Sequence, residues 1–136
     1  MFPIDTKILV VDDMPAIRKM VKGILQQLGY RNISEAENGT TAWEQIHIAT
    51  VSGDRFGLIL SDWNMPSMKG IDLLRKVRGT QEISATPFLL ITAEQEFTNV
   101  KEALALKVND YLIKPFTPAS FKIKLETVWK KLGRSG

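Results

Sequence analysis

The segment Leu58-Ile59-Leu60-Ser61-Asp62 is a short, mostly apolar run that ends in a carboxylate, and it decides the fold prediction. A run without polar alternation is typical of a strand buried on both faces of a parallel sheet. Comparable runs occur at residues 7–11, 87–92 and 111–113, with a weaker one at residues 33–36. The sequence therefore predicts five buried strands.

Apolar residues spaced three and four apart follow each run, which predicts a helix after every strand and so an α/β fold. The first helix is the clearest, because Pro15 stands in its first turn and Gly29 follows its last apolar residue. The last helix is predicted to begin at Thr117-Pro118, and residues 50–57 are predicted to form a loop. The apolar residues that define the five helices are, in order, Ile17, Met20, Val21, Ile24, Leu25 and Leu28; Ala42, Ile46 and Ala49; Ile71, Leu74 and Val77; Phe97, Val100, Ala103 and Leu104; and Phe121, Leu125, Val128 and Leu132.

Composition narrows the function classes. The chain has 136 residues, of which 44% are hydrophobic, and this suits one domain with a real core. We therefore expect a single domain over residues 1–136 with no output domain. The absence of cysteine excludes disulfides and thiolate metal sites, and a net charge of +3 gives no reason to expect a nucleic-acid partner. No stretch approaches the roughly 18 apolar residues of a membrane span, so we expect a cytoplasmic protein without a membrane partner.

Polar side chains gather where the predicted strands end. Asp12 and Asp13 follow the first strand, Asp62 ends the third, Thr92 ends the fourth and Lys114 follows the fifth. Any one of them has an ordinary explanation as a helix cap or a surface charge. Because parallel strands end at the same edge of a sheet, and ligands bind beyond that edge, the residues together predict one site.

The chemistry of this site follows from its charges. Three converging carboxylates repel one another unless a cation lies between them. Oxygen ligands with no histidine or cysteine nearby favour Mg²⁺, or Mn²⁺ in its place, over zinc. Such a metal and the Lys114 ammonium would neutralise the charge on a transferring phosphoryl group, for which a carboxylate can be the nucleophile.

Four segments resemble those of a known family. They are Val10-Val11-Asp12-Asp13, Ser61-Asp62-Trp63-Asn64-Met65-Pro66, Ile91-Thr92-Ala93-Glu94 and Tyr111-Leu112-Ile113-Lys114-Pro115-Phe116. In this order and spacing they resemble the receiver domains of two-component response regulators, above all the CheY-like receivers of chemotaxis. The resemblance implies a doubly wound, flavodoxin-like (βα)5 fold with a five-stranded parallel sheet in the order 2-1-3-4-5.

The resemblance also implies roles for the site residues. Asp62 corresponds to the phospho-acceptor that takes a phosphoryl group from a histidine kinase. Asp12, Asp13 and Asp62 correspond to Mg²⁺ ligands, together with the backbone carbonyl of Asn64. Lys114 corresponds to the residue that pairs with the acceptor carboxylate and then with the phosphoryl oxygen.

Further positions correspond to the switch and to the lifetime of the signal. Thr92 corresponds to the hydroxyl that moves to bond the phosphate, and Tyr111 to an aromatic side chain that turns into the space left behind. Asn64 and Glu94 correspond to positions that tune hydrolysis of the acyl phosphate. The family pattern also implies a cis bond between Lys114 and Pro115. By the same resemblance we expect no enzymatic activity beyond the protein's own phosphorylation and dephosphorylation.

The implied partners are a histidine kinase and a downstream protein, with the flagellar motor switch as one candidate. The downstream protein would bind the face made by the fourth helix, the fifth strand and the fifth helix, and the chain is expected to be monomeric. The segment Gln95-Glu96-Phe97 departs from the basic residues of chemotaxis receivers. A receiver module in another phosphorelay is therefore the alternative. Leu106-Lys107-Val108-Asn109 stands where receivers usually have a glycine closing the fourth helix, so that helix needs another cap.

Three other classes compete with this interpretation. A haloacid dehalogenase-type phosphatase also uses a nucleophilic aspartate and Mg²⁺, but it needs a second aspartate where this chain has Asn64. A flavodoxin-like flavin carrier needs a phosphate loop rich in glycine and hydroxyl groups after the first strand, where this chain has Asp12-Asp13-Met14-Pro15. An interaction module that never needs phosphate would have no need of the acidic residues and the lysine.

Overall fold

Five parallel strands form one sheet in the computed structural model, which describes residues 1–93 and 100–133. The strands are β1 (Ile8–Val11), β2 (Ile33–Ala36), β3 (Leu58–Asp62), β4 (Phe88–Ala93) and β5 (Asp110–Lys114). Their order across the sheet is β2-β1-β3-β4-β5. The predicted sheet is confirmed, with strand ends that differ from the prediction by one residue at most.

Helices cover both faces of this sheet. They are α1 (Pro15–Gln27), α2 (Gly39–Ser52), α3 (Gly70–Arg78), α4 (Val100–Ala105) and α5 (Pro118–Lys131), with a short 3-10 helix at Gln81–Ile83. Along β1, Leu9 and Val11 pack into the cluster under α2, α3 and α4, whereas Ile8 and Val10 pack into the cluster under α1 and α5. Alternate residues of a strand point to opposite faces, so each strand supplies two cores.

Three details differ from the prediction or lie beyond it. Met20 and Leu104 were counted in the apolar patterns, but they are 42% and 58% exposed, because each lies on the solvent-facing side of its helix. Phe97 lies outside the described residues. Among the residues that are described, no helix is long and apolar enough to cross a membrane.

The loop prediction for residues 50–57 is wrong at its start. Helix α2 continues to Ser52, because the Thr50 hydroxyl donates to the Ile46 carbonyl (2.7 Å) and so fits the helix. The helix ends at Gly53, whose φ of 81° is a left-handed conformation that glycine adopts without strain. The loop is therefore shorter than predicted.

The end of α4 is capped without a glycine, as the sequence requires. Lys107 takes the left-handed conformation itself, with a φ of 59°, and the Val108 N–H donates to the Ala103 carbonyl (3.1 Å). The Arg78 guanidinium at the end of α3 donates to the carbonyls of Leu106 (3.2 Å) and Lys107 (3.0 Å). An arginine from a neighbouring helix thus satisfies carbonyls that a helix end leaves free.

Phe2, near the N-terminus, belongs to the core under α1 and α5. The Phe2 side chain is 3% exposed, and its ring centroid lies 4.9 Å from that of Trp129 on α5. The Tyr30 hydroxyl donates to the Phe2 carbonyl (2.9 Å), which satisfies a buried phenol. Sequence patterning did not predict this contact, because Phe2 belongs to no periodic segment.

Candidate functional site

Acidic side chains from two distant parts of the chain meet beyond the carboxyl edge of the sheet. Asp12 directly follows β1, and Asp62 is the last residue of the neighbouring strand β3. One carboxylate oxygen from each of Asp12, Asp13 and Asp62 lies within 4.8 Å of the others. Asp12 and Asp62 are buried, whereas Asp13 is exposed and leaves the cluster open to solvent. The predicted convergence of the three acids is confirmed.

Asp12 is held by the backbone around it. Its N–H donates to the Ala36 carbonyl (3.1 Å), and its Oδ1 accepts from the Met14 N–H (2.9 Å). Its Oδ2 is buried and has no hydrogen-bond partner in residues 1–93 and 100–133, although the Lys114 Nζ lies 3.6 Å away. A buried carboxylate oxygen left in this state is costly, and a bound cation would satisfy it. The residues present therefore fit a hard divalent metal.

Lys114 reaches the cluster from the end of β5. Its Nζ donates to Asp62 Oδ1 at 3.2 Å, in addition to the 3.6 Å ion pair with Asp12. The neighbouring strand β4 pairs Ala93 with Lys114, which brings the lysine to the edge where β3 ends. The Lys114–Pro115 bond is cis, as expected from the family pattern.

The pKa values follow from burial and charge. Burial raises the pKa of Asp62 to about 6, with help from the nearby Asp12 charge and against the opposing effect of Lys114. Burial also raises the pKa of Asp12, again against hydrogen bonds and the Lys114 charge that lower it. For Lys114, burial lowers the pKa, but the two carboxylates outweigh burial and the net pKa is raised. The site thus holds its two buried acids at a cost that a dication would relieve.

Gly70 lets the start of α3 pass close to the site, and sequence analysis missed it. A Cβ on Gly70 would clash with the Asp62 carbonyl oxygen. The Gly70 N–H donates to the Trp63 carbonyl (2.9 Å), so the connection after β3 is closed at this point. Helix formation does not require glycine at the first position of α3, so the presence of glycine there is the sequence signal that could have identified this residue.

Three of the remaining predicted site residues are described by the structure, and their environments differ. Thr92 is fully buried in β4, and its hydroxyl donates to the Ala93 carbonyl (3.1 Å). Tyr111 in β5 is half-buried, with the Lys124 Nζ 4.9 Å from its ring centroid. Asn64 is exposed in the connection after β3. Glu94 lies outside the described residues.

A second residue that sequence analysis missed is Arg18. It is in the first part of α1, and its Nη1 donates to the Asp12 carbonyl at 2.7 Å. A charged residue in the helix that follows Asp12-Asp13 was the available signal, but helical periodicity alone does not say where a long side chain reaches.

Comparisons with known proteins agree with this geometry. The family description "Response regulator receiver domain" matches residues 8–126. The chemotaxis protein CheY-3 of Vibrio cholerae is 43% identical over 126 residues, which cover 93% of each chain. The structure of V. cholerae CheY4 has a TM-score of 0.74 at 35% identity and covers 96% of this chain and 98% of its own. The receiver domain of sensor histidine kinase PA1611 from Pseudomonas aeruginosa, with a magnesium ion in its active site cleft, has a TM-score of 0.76 at 26% identity and covers 96% and 99%.

The chain belongs to the response regulator receiver domains of two-component systems. Its curated relatives within that family include chemotaxis proteins of the CheY type from V. cholerae, P. aeruginosa and Helicobacter pylori, with identities of 42–43% over most of the chain. This family assignment leaves the phosphatase and flavin-carrier alternatives without support.

Proposed function

We propose that this receiver takes a phosphoryl group on Asp62 from the phosphohistidine of a histidine kinase and thereby carries a signal, most directly in chemotaxis. The observation that carries the proposal is the meeting of Asp12, Asp13 and Asp62 with the Lys114 ammonium at one edge of the sheet. Separate strands supply these charged groups, and the packing of an apolar core does not require any of them. CheY-type relatives support chemotaxis as the setting.

The proposed metal is Mg²⁺, for which Mn²⁺ can substitute. Asp12, Asp13 and Asp62 would hold it, together with the backbone carbonyl of Asn64. Bound there, it supplies positive charge that offsets the negative oxygens of the phosphoryl group. The related P. aeruginosa receiver has a magnesium ion in its active site cleft, which supports this choice of metal.

In the proposed reaction, the Asp62 carboxylate forms a bond to phosphorus while the bond between phosphorus and the donor imidazole nitrogen breaks. The imidazole leaves with the electron pair. Lys114, which lies 3.2 Å from Asp62 Oδ1, would pair with a phosphoryl oxygen as the carboxylate becomes an acyl phosphate.

The proposed output is a change of the surface formed by α4, β5 and α5. The Thr92 hydroxyl would turn from the Ala93 carbonyl toward the phosphoryl group, and the half-buried Tyr111 would follow it inward. The exposed side chains of Leu104 and Ile123 lie on α4 and α5 of this surface, where a downstream protein would meet them. The flagellar motor switch is one candidate, and the departure at Gln95-Glu96-Phe97 favours a target in another phosphorelay as the alternative.

We further propose that the protein acts in the cytoplasm as a monomer and that it catalyses only its own phosphorylation and dephosphorylation.

The direct test is phosphorylation by acetyl phosphate in the presence of Mg²⁺, followed by intact-mass spectrometry. The wild-type chain is expected to gain one phosphate, and Asp62→Asn to gain none. Asp5→Asn, which alters an exposed aspartate outside the site, is the matched control and should be phosphorylated like the wild type. Labelling of Asp62→Asn, or labelling of the wild type that does not depend on Mg²⁺, would contradict the proposal.

A further inference from the structure

Backbone pairing between β1 and β2 ends at Asp12, so the peptide between Asp12 and Asp13 lies beyond the sheet. The last β1–β2 register pair is Val11 with Ala36, and the Asp12 N–H still donates to the Ala36 carbonyl (3.1 Å). In a parallel ladder the Asp12 carbonyl would then accept from the N–H of Asn38. Asn38 is instead the N-cap of α2, so β2 provides no donor for that carbonyl.

The Arg18 guanidinium supplies the hydrogen-bond donor that β2 does not provide. Its Nη1 donates to the Asp12 carbonyl at 2.7 Å, a short charge-assisted hydrogen bond. This carbonyl is part of the planar peptide that joins Asp12 to Asp13. Holding this carbonyl therefore holds the orientation of the peptide between the two acids, and with it the backbone position from which the exposed Asp13 side chain reaches the cluster.

Arg18 is itself held in position from β2. Its Nε lies 3.4 Å from Glu35 Oε1, and only 18% of the Arg18 side chain is exposed. Glu35 also pairs with Lys22 one turn further along α1, at 3.4 Å through its other oxygen. Two basic residues of α1 thus share Glu35, but it is Arg18 that also bonds Asp12.

We infer that Arg18 is a positioning residue for the divalent metal: by holding the Asp12–Asp13 peptide through the Asp12 carbonyl, it sets the spacing of the two acids and so the affinity for Mg²⁺. This inference rests on the proposed function, because it takes the acidic cluster as the metal site. Groups that orient metal ligands in this way typically change metal affinity by about ten-fold or more when removed.

The sign of the effect separates positioning from simple charge. Arg18 is a cation near a site for a dication, so removing its charge alone would make Mg²⁺ bind more tightly. Removing a positioning hydrogen bond makes Mg²⁺ bind more weakly. Arg18→Met removes both the charge and the donor while keeping most of the apolar stem, so the direction of the change identifies which role matters.

The experiment is a titration with MgCl₂ that follows tryptophan fluorescence, since the buried Trp63 is next to Asp62 in the chain. Arg18→Met is expected to raise the half-saturating Mg²⁺ concentration by about ten-fold. Lys22→Met is the matched control, because it removes a cation from the same helix and the same Glu35 without touching Asp12. It should bind Mg²⁺ as the wild type does, or slightly more tightly.

A second measurement distinguishes positioning from a loss of structure. Phosphorylation of Arg18→Met by acetyl phosphate should be slow at low Mg²⁺ and should approach the wild-type rate as Mg²⁺ is added, because the acceptor and Lys114 are unchanged, whereas a misfolded variant would stay slow at every Mg²⁺ concentration. If Arg18→Met is poorly folded, both measurements are repeated in an excluded osmolyte such as sucrose, which favours the compact state.

The outcomes are distinct. Weaker Mg²⁺ binding confined to Arg18→Met supports the inference. Equal or tighter binding by Arg18→Met, or equal weakening in Lys22→Met, overturns it while leaving the proposed function intact. If wild-type fluorescence does not respond to Mg²⁺, or if Asp62→Asn responds just as the wild type does, the proposed function fails and the inference fails with it.

Discussion

Replacing the central carboxylate should make the metal-free protein more stable. The pKa of Asp62 is raised from 3.8 to about 6, chiefly by burial. Each pKa unit corresponds to about 1.4 kcal/mol, so holding Asp62 ionised in the fold costs about 3 kcal/mol at neutral pH. Asp62→Asn removes this cost, but it also removes one partner of the Lys114 ammonium. Lys114 retains its other partner, Asp12, at 3.6 Å. The net gain is expected to be about 1–3 kcal/mol in the free energy of unfolding.

The pH dependence gives the prediction its sign. Between pH 3.8 and about 6 the folded protein keeps a proton on Asp62 that the unfolded chain has released. Stability due to this residue therefore falls as the pH rises through that window, and the full cost is present above about 6. The advantage of Asp62→Asn over the wild type should be largest at about pH 7.5 and should nearly vanish at about pH 4.

Urea unfolding of both proteins in EDTA, followed by circular dichroism at the two pH values, measures this difference. Asp5→Asn, at an exposed position, is the control and should change the unfolding free energy by less than about 0.5 kcal/mol. Mg²⁺ at about ten times its dissociation constant should stabilise the wild type by about 1.4 kcal/mol and narrow the gap. A less stable Asp62→Asn at neutral pH, or an equal gain at both pH values, would refute the reasoning.

Three further predictions concern other features. Lys107→Gly relieves the left-handed backbone at the end of α4 and should raise the free energy of unfolding by about 0.5–1 kcal/mol. Lys101→Gly within the right-handed helix should lower it by about 1 kcal/mol. Urea midpoints that shift in the same direction for both variants would contradict this prediction. Phe2→Ala empties a buried site against Trp129 and should cost about 3 kcal/mol in the same assay, while Ile4→Ala at a 69% exposed position should cost less than about 0.5 kcal/mol; similar values for both would show that Phe2 contributes no packing. With Asn64 and Glu94 as in short-lived receivers, the phosphorylated protein should lose its phosphate quickly in Mg²⁺ at neutral pH, and mass spectra that still show it after hours would be incompatible with that prediction.

Sequence patterning predicted most of the sheet because its signals are local. The mostly apolar run that ends at Asp62 indicates burial on both faces, which a parallel sheet between two helix layers provides. The same reasoning failed at the end of α2. Thr50 and Val51 are β-branched and favour other structures by propensity, but the Thr50 hydroxyl bonds within the helix and Gly53 supplies the stop.

The site was predictable in its residue types and not in its support. Carboxylates and a lysine at strand ends indicate convergence, because parallel strands end together. The clash that excludes a side chain at Gly70 depends on how closely α3 passes the Asp62 carbonyl. The bond from Arg18 to the Asp12 carbonyl likewise depends on where β2 stops relative to β1. Neither distance is encoded in a periodic pattern.

By itself, the sequence determined which segments are strands and helices and which charged groups meet at the sheet edge, since periodicity and strand ends depend on neighbouring residues along the chain. Only the tertiary structure decided how those groups are held. This applies to the 3.2 Å and 3.6 Å contacts of Lys114, to the Arg18 bond, and to the Asp12 oxygen that lacks a hydrogen-bond partner in the part of the chain that the structure describes. These depend on the packing of elements far apart in sequence, where a shift of about 1 Å makes or breaks a hydrogen bond.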